Sequence, residues 1–336
     1  YNFVRGGEFM ARYKVYVSDY DFPDLSIEES ILEPIGAEVI GLHCPSGEGL
    51  YPIIQDADAI LQQYATIDRT LIGTLKKCKI IARYGIGVDI VDISAAREHG
   101  IIITNVPDYC IEEVADHATS LSFMLMRNLP FYNLRVHEGS YRWQDWRVPI
   151  SRYRGTIYGL LGFGKIAQNL SHKLSAFGFQ LISYDPYVSE TFMRTFGVKK
   201  VDLDQLFSKS RIVNVLCPYT TETHHIVGLK QLRSMSPDSY LVCVSRGKCV
   251  DNTALYEALR LGWIAGAALD DPEEEPMKFP NWTPDQNPLF QLDNCFFTPH
   301  VGYISQESIK ECRVAAAKNV KAVLTGNSPI NQVTKL

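Results

Sequence analysis

The segment Tyr158–Pro186 most constrains what this chain can fold into. It reads YGLLGFGKIAQNLSHKLSAFGFQLISYDP. The run Thr156–Leu161 predicts a buried strand, apolar residues recur at helical spacing after Gly164, and Phe179–Tyr184 predicts a second strand. Gly178 stands where a helix would end. Strand, glycine turn, helix, strand and acid follow each other in the order of a dinucleotide-binding βαβ unit.

Each glycine of the turn has a chemical reason. Gly162 permits a tight turn, and Gly164 lets the backbone approach a pyrophosphate that a β-carbon would push away. The helix that starts near Lys165, with Ile166 in its first turn, directs amide groups and its positive dipole end at that anion. The alternative is that these glycines belong to ordinary turns and helix ends, but the flanking periodicity favours a nucleotide site.

The acid that ends the second strand predicts which dinucleotide binds. Asp185 follows Gly164 by 21 residues, where a carboxylate accepts hydrogen bonds from the adenosine ribose hydroxyls. A carboxylate repels a 2′-phosphate, and no Arg follows in Pro186–Glu190. We therefore expect the cofactor to be NAD rather than NADP.

Composition limits the class of protein. The 336 residues suffice for about two domains, and a 46% apolar and 21% charged composition is ordinary for a globular chain. The net charge is −5 without a Lys/Arg tract, so neither nucleic acid nor an anionic membrane is an expected partner. No apolar run approaches the roughly 18 residues of a membrane span.

The cysteines and the first residues predict the compartment and the start of the fold. The eight cysteines form no C-x-x-C pair and no zinc-type cluster with His, so we expect no metal and a cytoplasmic protein with reduced thiols. Residues 1–9 precede a Met-Ala pair and resemble an added leader, so we exclude them from the fold.

Strands alternate with helices on both sides of the glycine unit, which predicts α/β structure with parallel sheets. In the first half, Gly85 and Gly87 directly follow a predicted strand in KIIARYGIGVDIVD. Such a turn can present backbone amides to a small anion such as a carboxylate, although a plain turn is an equal alternative.

A long apolar helix is predicted over Ile111–Leu129, stopped by Pro130. The segment Phe131–Ile150 then carries Tyr132, Tyr141, Trp143 and Trp146 among charges. Such a helix must be covered on more than one side. We interpret the aromatic segment as a contact in a homodimer, with the base of a lid as the alternative.

Three ionisable residues follow the ends of successive predicted strands: Arg246, Glu275 and His300. In a doubly wound sheet these ends line one crevice. Arg offers a fork of donors to a keto acid, His can move a proton near neutral pH, and a Glu beside the His would raise its pKa. Singly, each has an ordinary alternative: a surface ion pair, a strand-end residue, or one of three solvated glutamates.

The chain resembles the D-isomer-specific 2-hydroxyacid dehydrogenases from Lys14 onward. The matching pieces are GLLGFGKIA, YDP, CPYTTETHHIVG, LVCVSRG, AALDDPEEEP and PLFQLDNCFFTPHVG. Within the family, EEVADHA, TPHVGYIS and AAAKNVKAVLTG look closest to the branch of the C-terminal-binding-protein corepressors and phosphoglycerate dehydrogenase-like enzymes.

The resemblance implies an NAD-dependent enzyme that interconverts a D-2-hydroxy acid and its 2-keto acid. It implies that Arg246, Glu275 and His300 are catalytic. The implied cofactor residues are Gly162, Gly164, Lys165, Ile166, Asp185, Cys217, Pro218, Thr223, Val244, Ser245, Arg246, Asp270, His300 and Gly302. The implied substrate residues are Tyr84, Ile86 and Gly87 of the Gly85–Val88 turn, with Arg246 and Tyr303.

The resemblance also implies two Rossmann-like domains. An NAD-binding domain, residues 109–301, is inserted into a discontinuous flavodoxin-like substrate domain of residues 10–108 and 302–336. Four departures from the family pattern concern the substrate. Ile86 replaces a polar or small residue, Ile90 replaces an Asn, and Asp271 stands where an apolar residue is usual. The segment Pro276–Asn287 is longer than typical, which would let it act as a lid.

Two other functions stay open. An NAD(H)-sensing interaction protein of the corepressor kind would need a peptide-binding cleft or disordered tails, and no disordered extension is visible in the sequence. A formate dehydrogenase would carry Gln where this chain has Glu275, so that acid argues against it.

Overall fold

The computed structural model describes residues 11–44, 47–145, 148–274 and 281–333, so the predicted leader lies outside the described residues. The chain divides into two compact units. Unit 1 runs up to Cys110 and resumes at Ser305, and unit 2 is Ile111–Ile304.

Within its described residues, unit 1 forms a five-stranded sheet of β1 (Tyr13–Val17), β2 (Ala37–Gly41), β3 (Ala59–Gln62), β4 (Ile80–Arg83) and β5 (Ile102–Thr104). The order is β2-β1-β3-β4-β5, and all neighbours are parallel. Its helices are α1 (Ser26–Leu32), α2 (Gly47–Leu50), α3 (Arg69–Thr74), α4 (Ile93–Glu98) and α12 (Gln306–Leu324). Apolar side chains of α1 and α12 cover one face, and those of α3 and α4 the other.

The described part of unit 2 forms a seven-stranded parallel sheet of β6 (Ile157–Leu161), β7 (Gln180–Tyr184), β8 (Val198–Lys200), β9 (Ile212–Val215), β10 (Tyr240–Cys243), β11 (Gly266–Leu269) and β12 (Cys295–Phe297). Its helices are α5 (Ile111–Met126), α6 (Leu129–His137), α7 (Lys165–Ser175), α8 (Glu190–Arg194), α9 (Leu203–Lys209), α10 (Leu229–Ser234) and α11 (Asn252–Arg260). The order is β12-β11-β10-β9-β6-β7-β8. Strand β6 lies between β7 and β9, so the strand order reverses there and opens a crevice at the carboxyl ends.

The predicted fold class is confirmed. Both units are doubly wound parallel α/β sheets, and unit 2 is inserted into the sequence of unit 1. The predicted helix end is also confirmed, because Gly178 has a φ of +79° after α7. At the start of α12, the Ser305 hydroxyl accepts a hydrogen bond from the Ser308 amide at 2.8 Å.

One predicted helix was wrong at its end. The chain leaves α5 at Met126, and Asn128 takes a left-handed φ of +53° before α6 begins. Pro130 lies in the first turn of α6, where its missing N–H has no helical acceptor to lose. It therefore helps to start a second helix rather than to end the first, and the aromatic segment begins as a helix. Trp146 lies outside the described residues.

Across the four described stretches, no helix is both long and apolar enough to cross a membrane. All eight cysteines lie in these stretches, and none forms a disulfide. Seven are buried, and burial raises the pKa of Cys78, Cys243 and Cys312 to about 12. These three thiols therefore stay protonated at neutral pH.

Candidate active site

The glycine turn after β6 is the first part of the site. Gly162 has a left-handed φ of +96°, and a β-carbon there would come within 2.8 Å of the Cys217 nitrogen. Gly164 is the N-cap of α7, and apart from its chain neighbours no described residue lies within 4 Å of where its β-carbon would be. A pyrophosphate therefore fits beside the first turn of α7, whose leading amides have no acceptor within the helix.

Asp185 is held rigidly at the end of β7. Its Oδ2 accepts a hydrogen bond from the Phe163 amide at 2.9 Å, which ties it to the glycine turn. Its Oδ1 accepts hydrogen bonds from the amides of Tyr187 at 2.9 Å and Val188 at 3.2 Å. The carboxylate is only partly buried, so it retains acceptor capacity for ribose hydroxyls. This arrangement fits NAD.

The loop after β9 is held together by hydrogen bonds of a threonine hydroxyl group. The Thr223 hydroxyl donates to the Pro218 carbonyl at 2.7 Å and accepts from the Thr220 amide at 2.7 Å. Cys217 is buried with its backbone against Gly162. The loop and the glycine turn therefore form one continuous surface at the centre of the sheet.

Arg246 follows β10 and directly precedes a tightly packed glycine. A β-carbon on Gly247 would overlap the backbone of Asp271 and Pro272, so these two loops touch directly. The Nη1 of Arg246 lies 3.5 Å from Nε2 of His300. Two of the three predicted catalytic side chains are therefore adjacent.

His300 follows β12 in a left-handed conformation, with a φ of +54°. Its amide donates to the Asp270 carbonyl at 2.6 Å. The ring lies between charges of opposite sign, because its Nδ1 is 3.6 Å from Oδ2 of Asp271 while Arg246 faces Nε2. The ring of Tyr303 packs edge-on, with the centroids 5.9 Å apart.

Asp270 holds the turn that carries His300. Its carboxylate accepts hydrogen bonds from the amides of Val301 at 3.0 Å and Gly302 at 2.9 Å, and from the Thr298 hydroxyl at 2.6 Å. Nε2 of His117 on α5 lies 3.3 Å away. Burial alone would raise the pKa of Asp270, but the hydrogen bonds from His117, Thr298 and Gly302 outweigh it and lower that pKa. Asp270 therefore stays ionised as a structural anchor.

The loop after Asp270 is fastened at two points. Oε1 of Glu273 lies 2.6 Å from Nε2 of His225, and its Oε2 accepts from the Asn252 amide at 3.4 Å. Asn252 also donates to Glu274 through its side chain at 3.0 Å. The predicted catalytic Glu275 lies just beyond this fastened loop and outside the described residues, as do positions 276–280 of the predicted lid.

In unit 1, the predicted substrate turn is held by side chains beneath it. Gly85 has a φ of +144°, and the Arg83 guanidinium donates to the Gly87 carbonyl. The Asn105 amide donates to the Ile86 carbonyl at 2.8 Å. These hydrogen bonds hold the carbonyl groups of Ile86 and Gly87, which favours a fixed backbone geometry of the turn.

Tyr84 points into the core of unit 1. Its hydroxyl donates a hydrogen bond to the Glu28 carboxylate at 2.9 Å. Glu28 is fully buried and forms a bidentate ion pair with Arg313. Burial, and then the negative charge of Glu28, raise the pKa of Tyr84. The hydroxyl is therefore committed to this network, and any contact of Tyr84 with a substrate falls to its backbone or ring.

The predicted cofactor residues all belong to unit 2, in the first turn of α7 or in the loops that follow six of its strands. The same unit holds Tyr303, whereas Tyr84, Ile86 and Gly87 belong to unit 1. The roles assigned to these residues remain predictions.

The sequence reasoning did not predict the contacts of four residues that shape the site. His117 and Thr298 brace Asp270, Asp271 faces His300, and His225 fastens Glu273. His117 precedes Asp270 by 153 residues, so no local pattern connects them. For Asp271 the resemblance offered a signal, because it implied an apolar residue at this position.

Comparisons with known proteins bear on this site. Residues 119–302 match the family described as D-isomer specific 2-hydroxyacid dehydrogenase, NAD binding domain. The D-3-phosphoglycerate dehydrogenase of Methanocaldococcus jannaschii is 35% identical over 305 residues, which are 90% of this chain and 56% of that protein. The chain thus spans little more than half the length of that relative.

Two further proteins match over most of their length. The glyoxylate reductase of Korarchaeum cryptofilum is 33% identical over 87% of both chains. The D-lactate dehydrogenase of Aquifex aeolicus, whose structure was solved with NAD and lactic acid, superposes with a TM-score of 0.87 at 25% identity, over 96% of this chain and 99% of that one.

The family match covers more than half of the chain and lies within unit 2, the unit that contains the glycine turn, Asp185 and the strand ends of Arg246 and His300. The chain therefore belongs to the D-isomer specific 2-hydroxyacid dehydrogenases, and unit 2 contains the NAD-binding domain of that family.

Proposed function

We propose that this chain is an NAD-dependent oxidoreductase that interconverts a D-2-hydroxy acid and its 2-keto acid. The observation that carries the proposal is the adjacency of Arg246 and His300, 3.5 Å apart at the ends of β10 and β12 of the NAD-binding unit. A cationic fork beside a proton donor is what reduction of a keto acid requires.

In the proposed mechanism, Arg246 binds the substrate anion and orients its carbonyl group. The protonated His300 gives its proton to the keto oxygen in reduction, and the neutral ring accepts it from the hydroxyl group in oxidation. Glu275 supports the charged ring. NAD, when bound, supplies or accepts the hydride.

We assign NAD to unit 2 and the substrate turn to unit 1, the predicted substrate domain. The cofactor would be held by Gly162, Gly164, Lys165, Ile166, Asp185, Cys217, Pro218, Thr223, Val244, Ser245, Arg246, Asp270, His300 and Gly302. The substrate would be held by Tyr84, Ile86, Gly87, Arg246 and Tyr303. The names of the relatives include phosphoglycerate, glyoxylate and lactate, which supports a small 2-keto or 2-hydroxy acid.

The test is a screen of NADH oxidation with glyoxylate, hydroxypyruvate, pyruvate, phenylpyruvate and phosphorylated keto acids. With the best substrate, His300→Gln should lower kcat by about 10²–10⁴-fold while NADH binding survives, since a general acid contributes that much. His172→Gln, at an exposed position on α7, is the matched control and should leave kcat unchanged. Near-normal turnover of His300→Gln would refute the mechanism.

We also propose that the protein is a homodimer. Leu129, Leu134 and Val136 of α6 are 46–56% exposed, and Trp143 is 69% exposed. Apolar side chains gathered in one segment favour a contact surface. Light scattering should give twice the chain mass for the wild type and the chain mass for Leu134→Glu, with Phe192→Glu on α8 as the control. A monomeric wild type would contradict the proposal.

A cytoplasmic location is the last part of the proposal. It is supported by the eight cysteines, none of which forms a disulfide. Cell fractionation with an antibody to the chain tests it, and recovery in a secreted or membrane fraction would overturn it.

A further inference from the structure

We propose that Asp271 is a positioning residue for His300, which stabilises the protonated ring through Nδ1 and fixes its orientation. The inference rests on the proposed function of His300 and extends it to a neighbouring carboxylate that has no predicted role in catalysis.

The geometry places His300 between two charges. Oδ2 of Asp271 lies 3.6 Å from Nδ1, and Nη1 of Arg246 lies 3.5 Å from Nε2. The Asp271 side chain is 7% exposed and that of His300 is 30% exposed. Because water screens the pair poorly on the Asp271 side, the carboxylate offsets the guanidinium that disfavours protonation.

Both partners are fixed by their surroundings. The backbone at Asp271 packs against Gly247, where any β-carbon would overlap it, and Glu273 fastens the following turn to His225. His300 is fixed by its amide hydrogen bond to the Asp270 carbonyl. The acid can therefore hold the ring in one orientation without rearrangement of either loop.

Among the described residues, the other charged and polar groups close to His300 have partners of their own. The Asp270 carboxylate is occupied by Val301, Gly302 and Thr298, with His117 behind it. Tyr303 presents its ring edge-on. Beyond the described residues, Glu275 is the predicted second acid. Asp271 is thus the described carboxylate that faces a ring nitrogen of His300.

The test compares Asp271→Asn with the wild type by NMR titration of the histidine ring protons. The chain has eight histidines, and loss of a signal in His300→Gln identifies the one that matters. Removal of the charge should move the titration midpoint of His300 down by about one pH unit, the lower end of the effect of a charge at 4–6 Å. Asp204→Asn, which removes the same charge from an exposed pair with Lys230, should leave the midpoint unchanged.

The basic limb of kcat for keto-acid reduction should move down by the same amount, with unchanged NADH affinity. If Asp271→Asn does not fold, Asp271→Val removes the same charge and places an apolar side chain at this buried position. A His300 midpoint that moves no more than in Asp204→Asn overturns the proposal. The proposed function fails separately, if the wild type oxidises no NADH with any keto acid, because the NMR titration needs no turnover.

Discussion

Replacement of Asp270 by Asn tests whether one carboxylate holds the turn that carries His300. Asn has nearly the same shape, but one of its two terminal atoms is a donor. The Asn side chain loses fewer hydrogen bonds if its NH₂ group takes the place of Oδ2, which accepts from the Gly302 amide at 2.9 Å in the wild type. That amide would lose its acceptor in a buried place, and the Thr298 and Val301 donors would face a neutral oxygen instead of a charged one.

The size of the effect follows from these contacts. Hydrogen bonds to a charged group contribute about 1.5–3 kcal/mol each, and a buried donor without a partner costs about 1–3 kcal/mol. We therefore expect the free energy of unfolding to fall by about 2–4 kcal/mol, measured by urea denaturation at pH 7. Asp204→Asn, in an exposed pair with Lys230, should change it by less than about 0.5 kcal/mol.

The pH dependence of the free energy of unfolding gives a second test, because the direction of the change follows from the pKa of Asp270. The pKa of Asp270 is lowered in the folded protein, so its contribution is present above the unfolded value of about 3.9 and is lost as the pH falls through the lower folded value. The difference in the free energy of unfolding between the wild type and Asp270→Asn should therefore shrink only in that acidic range. A deficit no larger than that of Asp204→Asn at pH 7 would refute the anchoring role.

Three other substitutions test separate parts of the structure. Gly162→Ala should weaken NAD binding at least tenfold by calorimetry, because its β-carbon meets the backbone of Cys217 at a left-handed φ; an unchanged affinity would contradict this. Asp185→Ser should lower the ratio of the KM for NADPH to the KM for NADH, because the carboxylate no longer repels the 2′-phosphate. An unchanged ratio would argue against a hydrogen bond from Asp185 to the ribose. Glu28→Gln should lower the free energy of unfolding by about 3 kcal/mol, since it leaves the buried Arg313 charge with only the exposed Asp24 carboxylate, 3.8 Å away; a loss below 1 kcal/mol would be inconsistent.

Local patterns in the sequence predicted most of the fold. The glycine turn, the helix end at Gly178 and the strand ends depend on residues within one or two turns of each other. The end of α5 was wrong because Pro130 was interpreted as a stop signal, whereas a proline in a first helical turn loses no hydrogen bond. Its effect depends on the left-handed Asn128 before it, which the sequence does not reveal.

The candidate site was less predictable wherever its contacts join distant parts of the chain. His117 reaches Asp270 from α5, and Arg313 reaches Glu28 across 285 positions. The residues of each pair are too far apart in the sequence for the period of a helix or a strand to connect them. Asp271 is different, because the resemblance drew attention to its charge, but its place beside His300 and the packing of its backbone on Gly247 are visible only in the structure.

The position of α12 has a consequence for synthesis on the ribosome. This helix supplies Ala316, Val320 and Leu324 to the core over the first sheet, yet all of unit 2 is translated before it. At about 5–20 residues per second, the 194 residues of Ile111–Ile304 take roughly 10–40 s. Unit 2 can therefore fold as one uninterrupted segment during translation, while unit 1 waits with an apolar face uncovered. A cell that makes this protein must protect that nascent face from aggregation until α12 emerges.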